Sequence, residues 1–501
     1  MSKIVGIDLG TTFSALSYID DAGRPVVVYN DDGQNITPSC VHEIEKNTFV
    51  VGESARKEWG VSKKAAAARF KRDMGTTKTY KINNHEFSPT DLSTFVLKKL
   101  KQDSEKEIGK IAEASVTIPA NFGHDAREAT LLAAKNAGLN VKYIIDEPTA
   151  AALYYAYKEG KSLSGHYVVY DLGGGTFDVS VIKVKNQNIE IVASEGVSKL
   201  GGYDFDTELK KLVAKKFKEK TSQVLKDDEY NENDAENDKK SLSKRDKVRV
   251  SVGKTNIEIT RVEFEESISS LIAQTEMLCE TVLDNAKIKV QDIKAVFFAG
   301  GSTRIPAIVN SVKKIFKKEP ISTVNVDEVV ALGASLYAAF KNDGSLLTST
   351  QKESVSKLSV DECTHNYFGT YMQTNDEETG QILLVNDVII PRGKKIPVSI
   401  TKDYYTPLND MESITCRVTE SKEEEKDIKF VKLIWEGELE FNSKRPAGTK
   451  ISVTFSFTEN KTMNCEFLDE ETSVKKEIDL SFDSLHEQKN TVEDIDKFLV
   501  E

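Results

Sequence analysis

No Gly-x-x-x-x-Gly-Lys-[Ser/Thr] loop occurs in the 501 residues, which excludes a Walker A nucleotide protein. The VAIK, HRD and DFG set of protein kinases is absent as well. The five cysteines (Cys40, Cys279, Cys363, Cys416, Cys465) are scattered, with no Cys-x-x-Cys pair. That pattern predicts a reducing compartment and no structural zinc. No apolar run approaches the roughly 18 residues of a membrane-spanning helix. The opening MSKIVGID enters an apolar strand at once, so no signal peptide is expected, and the expected location is cytoplasmic. An excess of positive charge is lacking too: 68 Lys and Arg stand against 80 Asp and Glu, a net charge of −12. This argues against a nucleic-acid surface. The length allows two to four domains. Apolar content of 39% and charged content of 30% fit a globular chain.

What is present centres on Tyr167 to Asp178, YVVYDLGGGTFD. A buried apolar strand runs into an Asp, then into three glycines, then into a second strand. Three consecutive glycines cost backbone entropy and expose bare amides, and a tight turn of amides cradles anions. An Asp at its mouth suits a hydrated hard cation such as magnesium. An ordinary Gly-Gly hairpin fits this stretch equally well. A second copy decides between them. Ile4 to Ile19, IVGIDLGTTFSALSYI, matches Asp8-Leu9-Gly10 to Asp171-Leu172-Gly173, and Thr12-Phe13-Ser14 to Thr176-Phe177-Asp178. Two such hairpins predict a duplicated unit whose lobes face each other across a polyphosphate, with Asp8 and Asp171 sharing one cation.

Along the chain, Val26 to Tyr29 and Asn47 to Val51 read as strands. Ser62 to Met74, SKKAAAARFKRDM, reads as a helix with Lys71 near its end, where a lysine is usually a solvated, dipole-matched cation. Asp125 to Ala137 reads as a helix closed by Gly138. Glu147-Pro148 reads as a helix start, and spacing leaves open whether Glu147 faces the cleft. The run from 226 to 247 is highly charged and reads as a solvated face or loop. Val262 to Asp284 reads as one long helix. An apolar strand from Ala295 runs into Gly300-Gly301-Ser302-Thr303-Arg304-Ile305-Pro306, a third ligand-facing turn.

Together GIDLGTTFS (Gly6 to Ser14), IIDEPTAAA (Ile144 to Ala152), YDLGGGTFDVS (Tyr170 to Ser180), LGGYDFD (Leu200 to Asp206) and GGSTRIP (Gly300 to Pro306) resemble, in the same order, the ATPase domain of the DnaK-type 70-kilodalton heat-shock chaperones. The resemblance implies an α/β two-lobed, actin-like ATPase domain over residues 1–342, binding ATP or ADP with magnesium, with potassium as an additional ion. Gly10, Thr11, Thr12 and Phe13 resemble its first phosphate loop. Gly174, Gly175 and Thr176 resemble the second, with Thr176 near the γ-phosphate. Asp8, Asp171 and Asp178 resemble the carboxylates around the metal and the attacking water, and Glu147 lines the same place. Lys71 in FKRDMG matches the lysine that positions the water. Glu236, Lys239, Lys240 and Ser243 match the segment that holds adenosine. Gly301, Ser302 and Arg304 close the base pocket, and Gly202 and Asp327 reach the ribose.

Residues 343–360 read as a polar linker. Beyond them, short alternating runs separated by Asn, Asp, Gly and Pro predict an all-β sandwich over 361–485. IIPRGKKIP (Ile389 to Pro397) resembles the entry to the family's peptide-binding domain, which grips unfolded polypeptide, and places Ile400 and Ile414 near its pocket. The last residues, 486–501, read as a short helix or tail where the family's helical lid would begin. Val355-Ser356-Lys357-Leu358 departs from the family's acidic, leucine-rich linker. Tyr143 and Asp146 stand where an Arg and an Asn are usual on the face for J-domain partners. The short hairpin at Gly253-Lys254 resembles the HscC-like branch and bears on a nucleotide-exchange factor. Two readings follow: an ATP-hydrolysing monomeric chaperone for unfolded segments, or a lidless, ATP-bound partner that supports another chaperone with little turnover.

Overall fold

The structure is a computed structural model that describes residues 3–159, 163–185, 188–226, 228–322, 325–356, 358–375, 380–459, 461–480 and 495–501. Expectations on Lys357 and on residues 481–494 lie outside these. The chain divides into two compact units: Met1–Asn121, Ala129–Val360 and Thr491–Glu501 form one; Phe122–Glu128 and Asp361–Asn490 form the other.

The first unit is α/β and built twice. In one sheet the strands run in the order Val141–Asp146, Ile111–Ile118, Lys3–Asp8, Phe13–Ile19, Pro25–Val27. In the other the order is Pro320–Ile321, Ile293–Ala299, Gly165–Leu172, Phe177–Lys185, Asn188–Val197. Each central strand pairs in parallel on one side and forms the antiparallel hairpin on the other. Strand centres such as VVY (Val168–Tyr170) are apolar throughout because both faces are covered. Helices Glu147–Glu159 and Val329–Lys341 cross closely. A Cβ on Gly333 would lie 1.7 Å from the Ala150 carbonyl oxygen, so only glycine permits the crossing. The Tyr155 hydroxyl, on the first of these helices, donates to the carbonyls of Phe298 (2.8 Å) and Ile321 (3.1 Å), tying the helix to the second sheet.

Four local readings of the sequence differ from the structure. Ser62 to Met74 is not a helix. Ala66–Ala68 is a strand paired with Cys40–His42, Arg69 takes a left-handed φ of 64°, and Phe70–Asp73 is a single 3-10 turn. Alanine's helix preference loses to a partner strand that buries Ala66 and Ala67. The charged run holds a helix, Glu232–Leu242, whose N-terminus is closed by a reciprocal cap between Asn231 and Asp234. The long helix breaks into Arg261–Ser267 and Ser269–Ala286. In the expected linker, Ser349–Val355 is helical, and Gln351 donates to the carbonyls of Ile19 and Asp20.

A small sheet in the first unit runs in the order Leu499–Val500, Thr48–Val51, Cys40–Glu45, Ala66–Ala68. Its last strand leads directly into the turn that carries Lys71.

The second unit is a β-sandwich. One four-stranded sheet runs Ile382–Ile390, Tyr367–Asn375, Met411–Ser421, Lys432–Arg445; the other runs Val398–Tyr405, Lys450–Phe457, Met463–Asp469, Val474–Asp479. All pairings are antiparallel, and alternate residues such as Val453, Phe455 and Phe457 face the core. Ile400 and Ile414 pack against that core, half-buried.

Candidate functional site

The two hairpin turns meet. A Cβ on Gly174 would sit 1.7 Å from Thr12 Oγ1, so the second turn approaches the first more closely than any other residue allows. Gly175 faces Thr11 in the same way. The first turn is pinned by hydroxyls: Ser14 Oγ accepts the Gly10 amide at 3.1 Å, and Ser39 Oγ donates to the Gly10 carbonyl at 2.8 Å. The second turn is pinned from the third: Ser302 Oγ donates to the Gly173 carbonyl at 2.8 Å.

Between the turns lies a small cavity of about 90 Å³ lined by Asp8, Gly10 to Phe13, Lys71, Glu147, Asp171, Gly174, Thr176, Gly301 and Asp327 among others. It shares Thr12, Phe13, Gly174, Gly301 and Asp327 with a second cavity of about 520 Å³. The larger one is lined by Gly202, Glu236, Lys239, Lys240, Ser243, Ser302 and Arg304, and by residues the sequence reading did not single out: Ile36, Arg69, Tyr203, Asp206. Of the residues singled out from sequence, Gly175 and Asp178 line neither cavity. Asp178 is buried, directly opposite Asp171 in the hairpin register.

Charge in the small cavity is concentrated and buried. Lys71 Nζ donates to Glu147 Oε1 at 2.6 Å, with both side chains buried. This answers the question spacing left open: Glu147 begins its helix and faces the cleft. Burial, then the Glu147 charge, raises the Asp8 carboxyl to about 7, while Lys71 and the Thr117 hydroxyl (3.0 Å) pull the other way. Asp171 is raised well above the ordinary carboxylate range by burial, then by Glu147, Asp178 and Asp8. Burial and mutual repulsion thus disfavour the charged forms of Asp8 and Asp171 in the nucleotide-free protein, and added cation charge would favour them. Among the described residues no three His, Cys, Asp or Glu side chains converge as a ready metal cage.

The larger cavity is organised by ion pairs. Lys239 Nζ reaches Asp206 (2.7 Å) and the Gly202 carbonyl (2.8 Å). Glu236 takes Arg56 at 2.6 Å and Lys240 at 2.7 Å; burial alone would raise its carboxyl, but Arg56, Lys240 and Lys239 outweigh it and hold it low. Arg304 is held by Asp327 (2.6 Å) and Asn325 (2.9 Å). Arg69 lies over the Tyr203 ring at 3.6 Å. Arg72 reaches Asp204 at 3.1 Å. Arg69, at the left-handed position between the strand and the 3-10 turn, and Arg72 flank Lys71 in RFKRDMG; the signal was present only as an excess of positive charge beside one lysine. Of the positions noted for partner recognition, Asp146 is buried and the Tyr143 hydroxyl donates to the Lys341 carbonyl.

The chain belongs to the Hsp70 family: the family model described as Hsp70 protein matches residues 4–499. Curated relatives agree. A chaperone protein DnaK of Mycoplasmopsis synoviae (strain 53) is 33% identical over 512 residues, covering 99% of this chain and 81% of the relative. Chaperone proteins DnaK of Thermotoga neapolitana and Thermosipho melanesiensis are 36% and 35% identical, each covering 83% of this chain and 70% of the relative.

Proposed function

We propose that this Hsp70-family member is an ATP-dependent chaperone that hydrolyses ATP in its first unit and holds extended polypeptide in its β-sandwich. The observation that carries the ATPase reading is the buried Lys71–Glu147 pair at the wall of a small cavity that opens into a larger one. On this reading the phosphates lie at the hairpin turns that wall the first cavity, and the nucleoside lies in the second. The backbone amides of Gly10 to Thr12 and of Gly174, which line that cavity, would cradle the phosphates. Thr176 lies beside the γ-phosphate. Glu147 holds the Lys71 ammonium, which supplies positive charge where the transferring phosphoryl group gathers negative charge. Glu147 or Asp171, both at the cavity wall, or Asp178, opposite Asp171 in the hairpin, would orient the attacking water. Glu236, Lys240, Ser243 and Arg304 wall the adenosine, Gly202 and Asp327 stand at the ribose, and Lys239 acts through Asp206 and Gly202.

Magnesium fits the small cavity. Asp8 and Asp171 are crowded, buried carboxylates, and a pair of hard oxygen donors would suit an ion that keeps several waters. Bound there, the ion neutralises charge on the β- and γ-phosphates. Unfolded polypeptide is the proposed β-unit ligand, with a J-domain protein and an exchange factor as proposed partners in a cytoplasmic setting.

Single-turnover hydrolysis with and without an unfolded peptide tests the reading. Turnover accelerated by peptide supports it. Tight ATP binding with negligible turnover overturns it in favour of an ATP-bound support role.

A further inference from the structure

Residues 495–501 do not trail from the β-sandwich but belong to the first unit. Leu499–Val500 adds a parallel strand to the edge of Thr48–Val51, with Leu499 opposite Thr48 and Val500 opposite Phe49. The Leu499 amide donates to the Asn47 carbonyl and the Glu501 amide to the Phe49 carbonyl, both at 2.9 Å. Phe498 is buried against Phe49 (5.5 Å), His85 (5.2 Å), Phe87 (5.3 Å) and Phe95 (6.0 Å), ring centroid to ring centroid. Val500 is buried beside it, while the Leu499 side chain is 55% exposed. Alternate side chains enter the groove and the backbone pairs with the edge, which is the physics of strand addition.

We propose that the edge of Thr48–Val51 and the aromatic wall of Phe49, His85, Phe87 and Phe95 form a strand-accepting groove. Its ligand class is an extended segment with an aromatic residue followed, two positions on, by an aliphatic one. Its occupant is this chain's own Phe498-Leu499-Val500, held as a latch. The latch is reversible. Ordering a short segment costs backbone entropy at every residue, and two buried side chains with a pair of backbone hydrogen bonds return an amount of the same order. The cis segment wins over other strands through its high effective concentration. An edge strand left open would invite pairing with other chains, and the latch closes it.

The test uses the full chain in four forms: wild type, Phe498→Asp, Leu499→Pro and Leu499→Lys. The probe is a labelled synthetic peptide spanning residues 491–501. Phe498→Asp removes the aromatic anchor. Leu499→Pro removes the amide that pairs with Asn47 and takes nothing from the groove's interior. Leu499→Lys alters only the outward side chain. The peptide is expected to bind the first two variants at least about ten-fold more tightly than wild type or Leu499→Lys, and to protect the amides of residues 47–51 from hydrogen exchange. In wild type the Leu499 and Glu501 amides are slow to exchange; in Phe498→Asp both are fast, and in Leu499→Pro, which has no amide at 499, the Glu501 amide is fast. Equal peptide affinity for all four chains, or protection confined to the β-sandwich, overturns the proposal. If Phe498→Asp is misfolded, Leu499→Pro carries the same prediction without loss of a core side chain.

Discussion

The two Asp-Leu-Gly hairpins share a backbone plan and differ in what fixes them. In the first, hydroxyls do the work: Ser14 and Ser39 hold Gly10, and Thr117 holds Asp8. In the second, Asp171 faces Asp178 and the turn is three bare glycines, one pressed onto Thr12. One copy is a hydrogen-bonded ledge and the other a crowded pair of carboxylates. On the proposed function, the difference at the equivalent positions Ser14 and Asp178 would divide the labour between holding phosphate and handling water.

The largest expected effect lies between the copies. Lys71→Ala keeps nucleotide affinity within a few-fold and lowers single-turnover hydrolysis by about 10²–10³, the range for losing one electrostatic group aimed at a transition state. Equal loss of binding and turnover would mean that Lys71 holds the ground state.

Next, Gly174→Ala forces a methyl into Thr12. Nucleotide affinity is expected to fall by about 10², with partial recovery in the double variant with Thr12→Gly, as coupled neighbours behave. Titration calorimetry on the two single variants and the double variant measures the coupling.

Asp8 reports on the first copy by pH. Its native pKa, about 7, lies above the unfolded value. Its contribution to the nucleotide-free protein is therefore full below about pH 4 and is lost as pH rises through 7. Asp8→Asn should raise the melting temperature of the nucleotide-free chain at pH 8, by the equivalent of about 4 kcal/mol at most, and leave it unchanged at pH 4. A gain of equal size at both pH values would remove the titration argument.

The smallest effect sharpens the contrast directly. Ser14→Ala should cost about 1 kcal/mol in nucleotide affinity, the worth of one hydrogen bond, and leave the rate from the bound state unchanged. Asp178→Asn should leave affinity alone and slow the bound-state rate. If both variants act on the same parameter, the division of labour between the copies is wrong.

The parts legible from sequence were those in which chemistry is local. A glycine turn after a strand and an Asp carries its purpose in a few neighbouring residues, and the Hsp70 motifs in order gave the two-lobed ATPase and sandwich architecture that the family match supports. What was not legible depended on distant partners. Ala66 to Ala68 has helical composition, yet Cys40–His42 makes it a strand. Glu232–Leu242 is helical because caps and inward residues such as Ala235 and Leu242 outweigh its charges. Arg56, Arg69 and Asp206 become site residues only when separate segments of the chain close around the larger cavity. The strand at Leu499–Val500 has no signal of its own beyond one aromatic and two aliphatics.

The path of the chain has a mechanical consequence. The β-sandwich is bounded in sequence by two stretches of the first unit, Ala129–Val360 and Thr491–Glu501. A tension applied between the strand at Lys3–Asp8 and residue 501 is borne first by the pairing of Leu499–Val500 with Thr48–Phe49, and the sandwich lies in a slack bypass. Only when that short parallel pairing peels away does the load pass into the β strands. In a force–extension trace the first event is then a small, low-force release, and the rupture of the sandwich follows it.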